Sequence, residues 1–349
     1  MIDRLDRQIL HALCLDPRIG YVRLAAVLGI SEQTVARRYQ RMRAEGLVRV
    51  IGLTVPVRGA ANWMVRLAMR PGSASAMAAA LARRPDVSWI GIAAGGSELT
   101  LLVRGVSEGE LSGASPTAQH PHGDLLHRLP QASNVLSMSA HQTLHRFTGR
   151  GEHDWIAVEH PLSEKQRAQV LAGRRAPSDG RAQTGPDTAT LPADRPLLEA
   201  LARDGRAGYA ALAAQIGWPQ RQVARRVAEL VSAGSLYFDV DVAVALVGFH
   251  SMANLWLTVE PARLQEAGQA MADHAQVPFV AAVTGSQNLQ ATVLCPDAEG
   301  LYRYVTTTMA AVEGVRQMEI SPVHTPIKQA GSLVENGRLT DPLVTTRRR

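Results

Sequence analysis

The sequence predicts an α+β chain in which two winged helix-turn-helix domains alternate with two ferredoxin-like βαββαβ sandwich domains. Three observations predict it. Residues 29–43 have the form of a tight turn followed by a recognition helix. A strand–helix–strand–strand–helix–strand pattern comes after them. The same order then returns in the second half of the chain, 188 residues on.

Residues 5–15 read as a helix with Leu5, Ile9, Leu10 and Leu13 on one face, closed by Asp16-Pro17. Residues 22–28 form a second helix. Gly29 allows the left-handed backbone of a tight turn, and Ser31 is placed as an N-cap. Val35, Tyr39 and Met42 recur at i, i+4 and i+7 and define a buried face. Gln33, Thr34, Arg37 and Arg41 fall opposite, with Arg38 at the edge. Arginine pairs with guanine edges and glutamine with adenine, so this face suits a major groove, with Arg38 and Arg43 better placed for phosphates. A solvated charged helix is the competing reading; the turn and the two preceding helices favour duplex DNA. Glu45-Gly46 ends the helix and Leu47-Val48-Arg49-Val50 opens a strand.

Strands are expected at 63–70, 87–94, 99–104 and 134–144, with an Ala-rich helix at 73–84. The second helix is short, at 124–129, because Pro116 and Pro121 interrupt what precedes it. Ser163-Glu164-Lys165-Gln166 has the form of a capping box, and 176–193 has the composition of a flexible linker. The expected domains are 1–52, 60–148, a linker at 149–192, 193–240, 250–330, and a disordered basic tail at 331–349.

The repeat carries Asp6-Arg7 to Asp194-Arg195, Tyr21 to Tyr209, Gly29 to Gly217, and Val35-Ala36-Arg37-Arg38 to Val223-Ala224-Arg225-Arg226. The second copy has diverged. Pro219 replaces the cap Ser31, and Glu229 stands where Arg41 was. Residues 1–50 hold nine arginines against five acidic residues, and 193–240 hold six against five. Arg221 and Arg225 are the second copy's candidates for DNA contact, and the first copy is expected to bind more strongly.

A net charge of +6 and a pI near 9.8 favour anionic partners without naming one. Cys14 and Cys295 lie far apart and read as buried free thiols. The first ten residues are charged and amphipathic rather than a signal peptide, and no apolar run reaches membrane-spanning length, so a cytoplasmic chain is expected. His120, His122 and His127 cluster, and His141 and His145 lie four apart. Neither group has ligand spacing with Cys or carboxylate, so solvated or hydrogen-bonded histidines are favoured over a metal site. Trp63, Trp89 and Trp256 are expected in cores, and Asp239 and Asp241 on a solvent face. No catalytic residue and no cofactor is assigned.

The segments Leu5-Asp6-Arg7-Gln8-Ile9-Leu10, Leu24-Ala25-Ala26-Val27-Leu28-Gly29-Ile30-Ser31, Thr34-Val35-Ala36-Arg37-Arg38 and Gly46-Leu47-Val48 resemble the Lrp/AsnC family of prokaryotic transcriptional regulators. The resemblance covers nearly the whole chain, twice. It implies a DNA-binding regulator whose sandwich (the RAM domain) pairs subunits and binds an amino acid or similar small effector. It places the effector at the turn between the second and third strands, where the family often has Thr-Gly-x-x-Asp. This chain has Ala94-Gly95-Gly96-Ser97-Glu98 and Thr284-Gly285-Ser286-Gln287-Asn288, so Gly95, Glu98, Gly285 and Asn288 are the candidates; a plain hairpin turn is the competing reading. Two sandwiches in one chain are expected to pair with each other as a pseudo-dimer, and association between chains is left open. Two alternatives stand beside the regulator. One is an enzyme resembling sirohaem decarboxylases on the same fold, with His141 and His145 as candidate chemistry. The other is an effector-binding module acting through protein contacts alone.

Overall fold

The computed structural model describes residues 2–55, 60–107, 123–149, 155–156, 161–172 and 192–341. The first head is α1 (Arg4–Leu15), α2 (Tyr21–Leu28) and α3 (Glu32–Ala44), followed by strand β1 (Val48–Thr54). Asp3 and Asp6 form a capping box that starts α1. Gly29, at φ 69°, ends α2 in the left-handed region. Val35, Tyr39 and Met42 are buried, as their spacing predicts. The first sandwich is β2 (Ala60–Met69), α4 (Ala74–Ala82), β3 (Val87–Ala93), β4 (Glu98–Ser107), α5 (Gly123–Arg128) and β5 (Val135–Thr148).

Helix α6 (Glu164–Leu171) opens on the predicted capping box. It belongs to the first head rather than to a free linker: Val170 is buried in that head's core, and Gln166 donates to the Val27 carbonyl at 3.1 Å. The linker residues 173–191, like His120 and His122, lie outside the described residues.

The second head is α7 (Arg195–Arg203), α8 (Tyr209–Ile216), α9 (Gln220–Ser232) and β6 (Leu236–Val242). The second sandwich is β7 (Ser251–Val259), α10 (Leu264–Ala272), β8 (Phe279–Val283), β9 (Leu289–Cys295), α11 (Ala298–Arg303) and β10 (Val315–Lys328). After Arg303, α11 gives way to a wider turn at Tyr304–Thr308 and a tighter one at Met309–Ala311. Both cysteines are buried, and neither forms a disulfide.

Strand pairing joins the two halves. The sheets run β3-β4-β2-β5 and β8-β9-β7-β10, all antiparallel, and β5 pairs with β8 while β10 pairs with β3. The eight strands therefore close into a ring. The joins are reciprocal: His145 lies opposite Ala282, and Thr325 opposite Ile92. Strand β5 runs past its predicted end at 144 and β10 continues to Lys328, and their C-terminal residues make the joins. The heads pair in the same manner. β1 and β6 form a ladder in which Ile51 faces Asp239, its own counterpart 188 residues on, so a pseudo-dyad passes through that pair.

Three expectations are corrected. Residues 331–341 are not part of a disordered tail: β11 (Leu333–Glu335) and β12 (Arg338–Thr340) form a hairpin. Its turn is Asn336-Gly337, both with positive φ, the residues a tight primed turn requires. The hairpin docks on the first head, where Leu339 donates to the Gly46 carbonyl at 2.8 Å. Asp241 faces inward and is buried, accepting from the Ala330 and Gly331 amides. Trp89 sits at φ 53° in a bulge of β3 and is 49% exposed, so it is not a core residue.

Lys328, at the end of β10, is 5% exposed and donates to the Arg84 carbonyl at 2.6 Å. Burial, with Arg104 adding repulsion, pushes its ammonium down to about 8 from 10.5. The folded state thus binds that proton less tightly than the unfolded chain. Below pH 8 the penalty is fully present, and it fades as pH rises from about 8 toward 10.5. Urea unfolding is expected to show the wild type gaining about 2 kcal/mol between pH 7.5 and 9.5 relative to Lys328→Met. Parallel pH profiles for the two proteins would show that Lys328 carries no such linkage.

Candidate nucleic-acid interface

Each recognition helix is set by its own small bundle. Ser31 accepts from the Thr34 amide at 3.1 Å, and its hydroxyl lies 2.8 Å from that of Thr34, so Thr34 is partly engaged by the cap. Gln33, Arg37, Gln40 and Arg41 are exposed on the outer face of α3. In α9, Pro219 occupies the cap position without a side-chain acceptor, and Arg221, Gln222 and Arg225 are exposed.

The arginines of this face differ sharply in what they touch. Arg37 and Arg221 make no hydrogen bond or ion pair among the described residues. Arg38 is spent inside the head. It donates to Asp3 at 2.6 Å and to the fully buried Asp6 at 2.9 Å, and these bonds hold its guanidinium above the usual range. Arg41 also reaches Asp6, at 2.5 Å, while 40% of its side chain stays exposed. Arg43 pairs with Asp204 of the second head at 2.7 Å. In the second copy Arg226 forks onto Asp194 at 2.8 and 2.7 Å, and Arg225 lies 3.5 Å from Glu229. Arg38, Arg41 and Arg43, named as DNA-contact candidates, each have a carboxylate partner and also tie helices and heads together. A helical wheel places them outward, but it cannot show that α1 brings a carboxylate beneath α3.

Two residues that sequence reasoning missed fix the heads against each other. Arg18 donates to the carbonyls of Gly205 and Ala207 at 2.6 and 3.3 Å. Arg206 donates to those of Pro17 and Ile19, both at 2.7 Å. The exchange is reciprocal about the pseudo-dyad. Each guanidinium also stacks on rings of the other head: Arg18 on Tyr209 and Phe238, Arg206 on Tyr21 and Tyr39. Gly205 permits the approach, since a Cβ there would lie 2.8 Å from the Ile51 backbone. The repeat held the signal, because Arg18 and Arg206 are themselves 188 residues apart.

The effector candidates are engaged otherwise. Gly95 and Gly285 have positive φ and are exposed, as turn glycines are. Glu98 binds Arg66 at 2.6 Å and accepts from Ser321 at 2.7 Å, so its carboxylate joins the two halves. Arg66 also pairs with Glu319 and lies 4.9 Å above the Trp256 ring. Asn288 bonds to both the amide and the carbonyl of Val259. Neither Glu98 nor Asn288 is a free ligand group. A cavity of about 190 Å³ lies between the halves instead, with Met64, Leu102, Met252, Phe279, Arg146 and Lys328 among its walls.

This arrangement defines a class of protein: two helix-turn-helix heads and two ferredoxin-like units paired about a pseudo-dyad within one chain. Residues 2–43 and 193–231 match the AsnC-type helix-turn-helix domain, and 252–333 match the Lrp/AsnC ligand binding domain. These matches give the chain the domain set of the Lrp/AsnC family of transcriptional regulators, with the helix-turn-helix present twice. Uncharacterized HTH-type transcriptional regulators of Pyrococcus horikoshii and Pyrococcus abyssi are each 28% identical to it over 139 residues, 40% of this chain and 87% of theirs. The crystal structure of the siroheme decarboxylase NirDL shares the fold over 94% of this chain and 93% of its own, with a TM-score of 0.59 at 11% identity. NirDL has also been solved with an iron-uroporphyrin III analogue. No helix among the described residues is long and apolar enough to cross a membrane.

Proposed function

We propose that this chain is a cytoplasmic, non-enzymatic regulator that engages duplex DNA as a built-in pair of heads. On this reading Gln33, Thr34 and Arg37 read base edges from the first head, and Arg221 and Arg225 approach DNA from the second. The observation that carries the proposal is the exposed Arg37, without a partner among the described residues, beside three arginines that all have one. A guanidinium left unpaired on the outer face of a recognition helix is available for a guanine or a phosphate. Arg37→Ala is expected to weaken binding to a selected operator by about 1–3 kcal/mol, measured by gel shift at fixed salt. A wild-type shift for that variant would remove Arg37 from the interface.

The ligand on this reading is an amino acid or similar small carboxylate in the cavity between the halves. Its apolar walls suit an aliphatic or aromatic tail, and Arg146 and Lys328 are among the residues lining it.

The whole-chain likeness to NirDL favours a second reading, decarboxylation of a sirohaem-like macrocycle. The two candidate histidines give it little support. His141 lies 2.7 Å from the Thr284 carbonyl and packs on Trp256, and His145 packs edge-on to Phe147. Neither is among the residues lining the cavity. Carbon dioxide release from sirohaem by the purified protein, with no sequence-selective DNA binding, would put the second reading first.

A further inference from the structure

We infer that the operator consists of two inverted half-sites of unlike sequence, each read by a different head of the same chain. The inference rests on the DNA-binding reading above and goes beyond it by specifying the form of the target.

Two sets of observations meet here. The first concerns the frame, which is symmetric. α3 spans Glu32–Ala44 and α9 spans Gln220–Ser232, the same thirteen-residue length at a constant offset of 188. The β1–β6 ladder is centred on Ile51 and Asp239. The two guanidinium clamps are exchanged in kind. A two-fold frame offers its two helices to DNA in inverted orientation, as in the paired half-sites of helix-turn-helix dimers.

The second concerns the reading faces, which are not symmetric. Gln33 corresponds to Arg221, Thr34 to Gln222, Arg37 to Arg225, and Arg41 to Glu229. Three of these four positions differ in hydrogen-bonding chemistry. Glutamine meets adenine with a donor and an acceptor, whereas arginine offers donors alone and prefers guanine. The first head presents Arg37 without a partner; in the second head Glu229 draws Arg225 along the helix at 3.5 Å and leaves Arg221 as the unpartnered guanidinium, one turn nearer the helix start. The leading arginine therefore stands at a different helical position in each head. A homodimer must present the same face twice, and this chain does not.

The test is selection from a random duplex library with the purified full chain, followed by fluorescence anisotropy at one salt concentration. The selected sequence is expected to lack palindromy. Replacing either half by an inverted copy of the other is expected to weaken binding about tenfold or more, since several base contacts are lost together. Arg37→Ala should relax base preference in one half only, and Arg221→Ala in the other. Both residues are exposed, so neither variant disturbs a core. Equal affinity for the symmetrised duplexes, or an unchanged base preference in Arg221→Ala, would overturn the inference while leaving DNA binding intact. A library that enriches no sequence would overturn the DNA-binding reading itself.

Discussion

Arg18→Ala combined with Arg206→Ala is expected to destabilise the paired heads by about 4 kcal/mol and to reduce operator affinity more than loss of Arg37 does. Each guanidinium satisfies two main-chain carbonyls of the opposite head and stacks on two of its rings. Truncation removes these charge-assisted bonds and leaves four acceptors without them. The two sites share one interface, so their separate costs should not simply add. Lysine is expected to rescue neither position, because its point charge cannot bridge two carbonyls as the planar fork does. Urea unfolding followed by tryptophan fluorescence and circular dichroism measures the loss. A wild-type midpoint for the double variant would mean that the β1–β6 ladder and contacts such as Arg43–Asp204 hold the heads without the two clamps.

Asp6→Ala is expected to cost about 3 kcal/mol, the low end for breaking a buried ion pair, because Arg38 and Arg41 retain some access to water. Asp6 is fully buried, accepts from both arginines, and closes the capping box by accepting from the Asp3 amide at 3.2 Å. The substitution has a second readout that a merely structural residue would not give. It frees Arg41 beside the proposed DNA face and leaves Arg38 with Asp3 as its remaining carboxylate. At temperatures where the variant is still folded, affinity for unspecific duplex should rise and its salt dependence should steepen by about one phosphate contact. Weaker unspecific binding with an unchanged salt slope would show that Arg41 cannot reach phosphates once freed.

The helix-turn-helix was legible because local chemistry specifies it: Gly29 for the left-handed turn, Ser31 for the cap, and a buried row of Val35, Tyr39 and Met42. The two βαββαβ units were legible for the same reason, since alternation and turn residues act over short distances. The strand exchange was not. The last residues of β5 and β10 find partners more than a hundred positions away, and nothing near them in sequence records that. The fate of Arg38 was partly legible. Asp6 and Arg38 stand 32 residues apart, as do Asp194 and Arg226, and a pair kept at one spacing in both copies points to contact. The Asn336-Gly337 pair is a local tight-turn signal, whereas the docking of its hairpin on the first head is not recorded near it in sequence. The bulge at Trp89 left no trace in residue types. As for the effector turn, its glycines were readable, whereas the partners of Glu98 come from β2 and β10 and only the closed ring brings them together.

The covalent continuity between the two β1–β6 partners has a consequence for gene control. A homodimeric regulator falls apart on dilution, so the species able to occupy an operator grows with the square of protein concentration when copies are few. Here the counterpart strand is supplied by the same polypeptide, and its local concentration is set by the tether rather than by expression level. On the DNA-binding reading proposed above, occupancy by a single chain would track copy number in direct proportion, and that proportionality is the signature to look for at low expression.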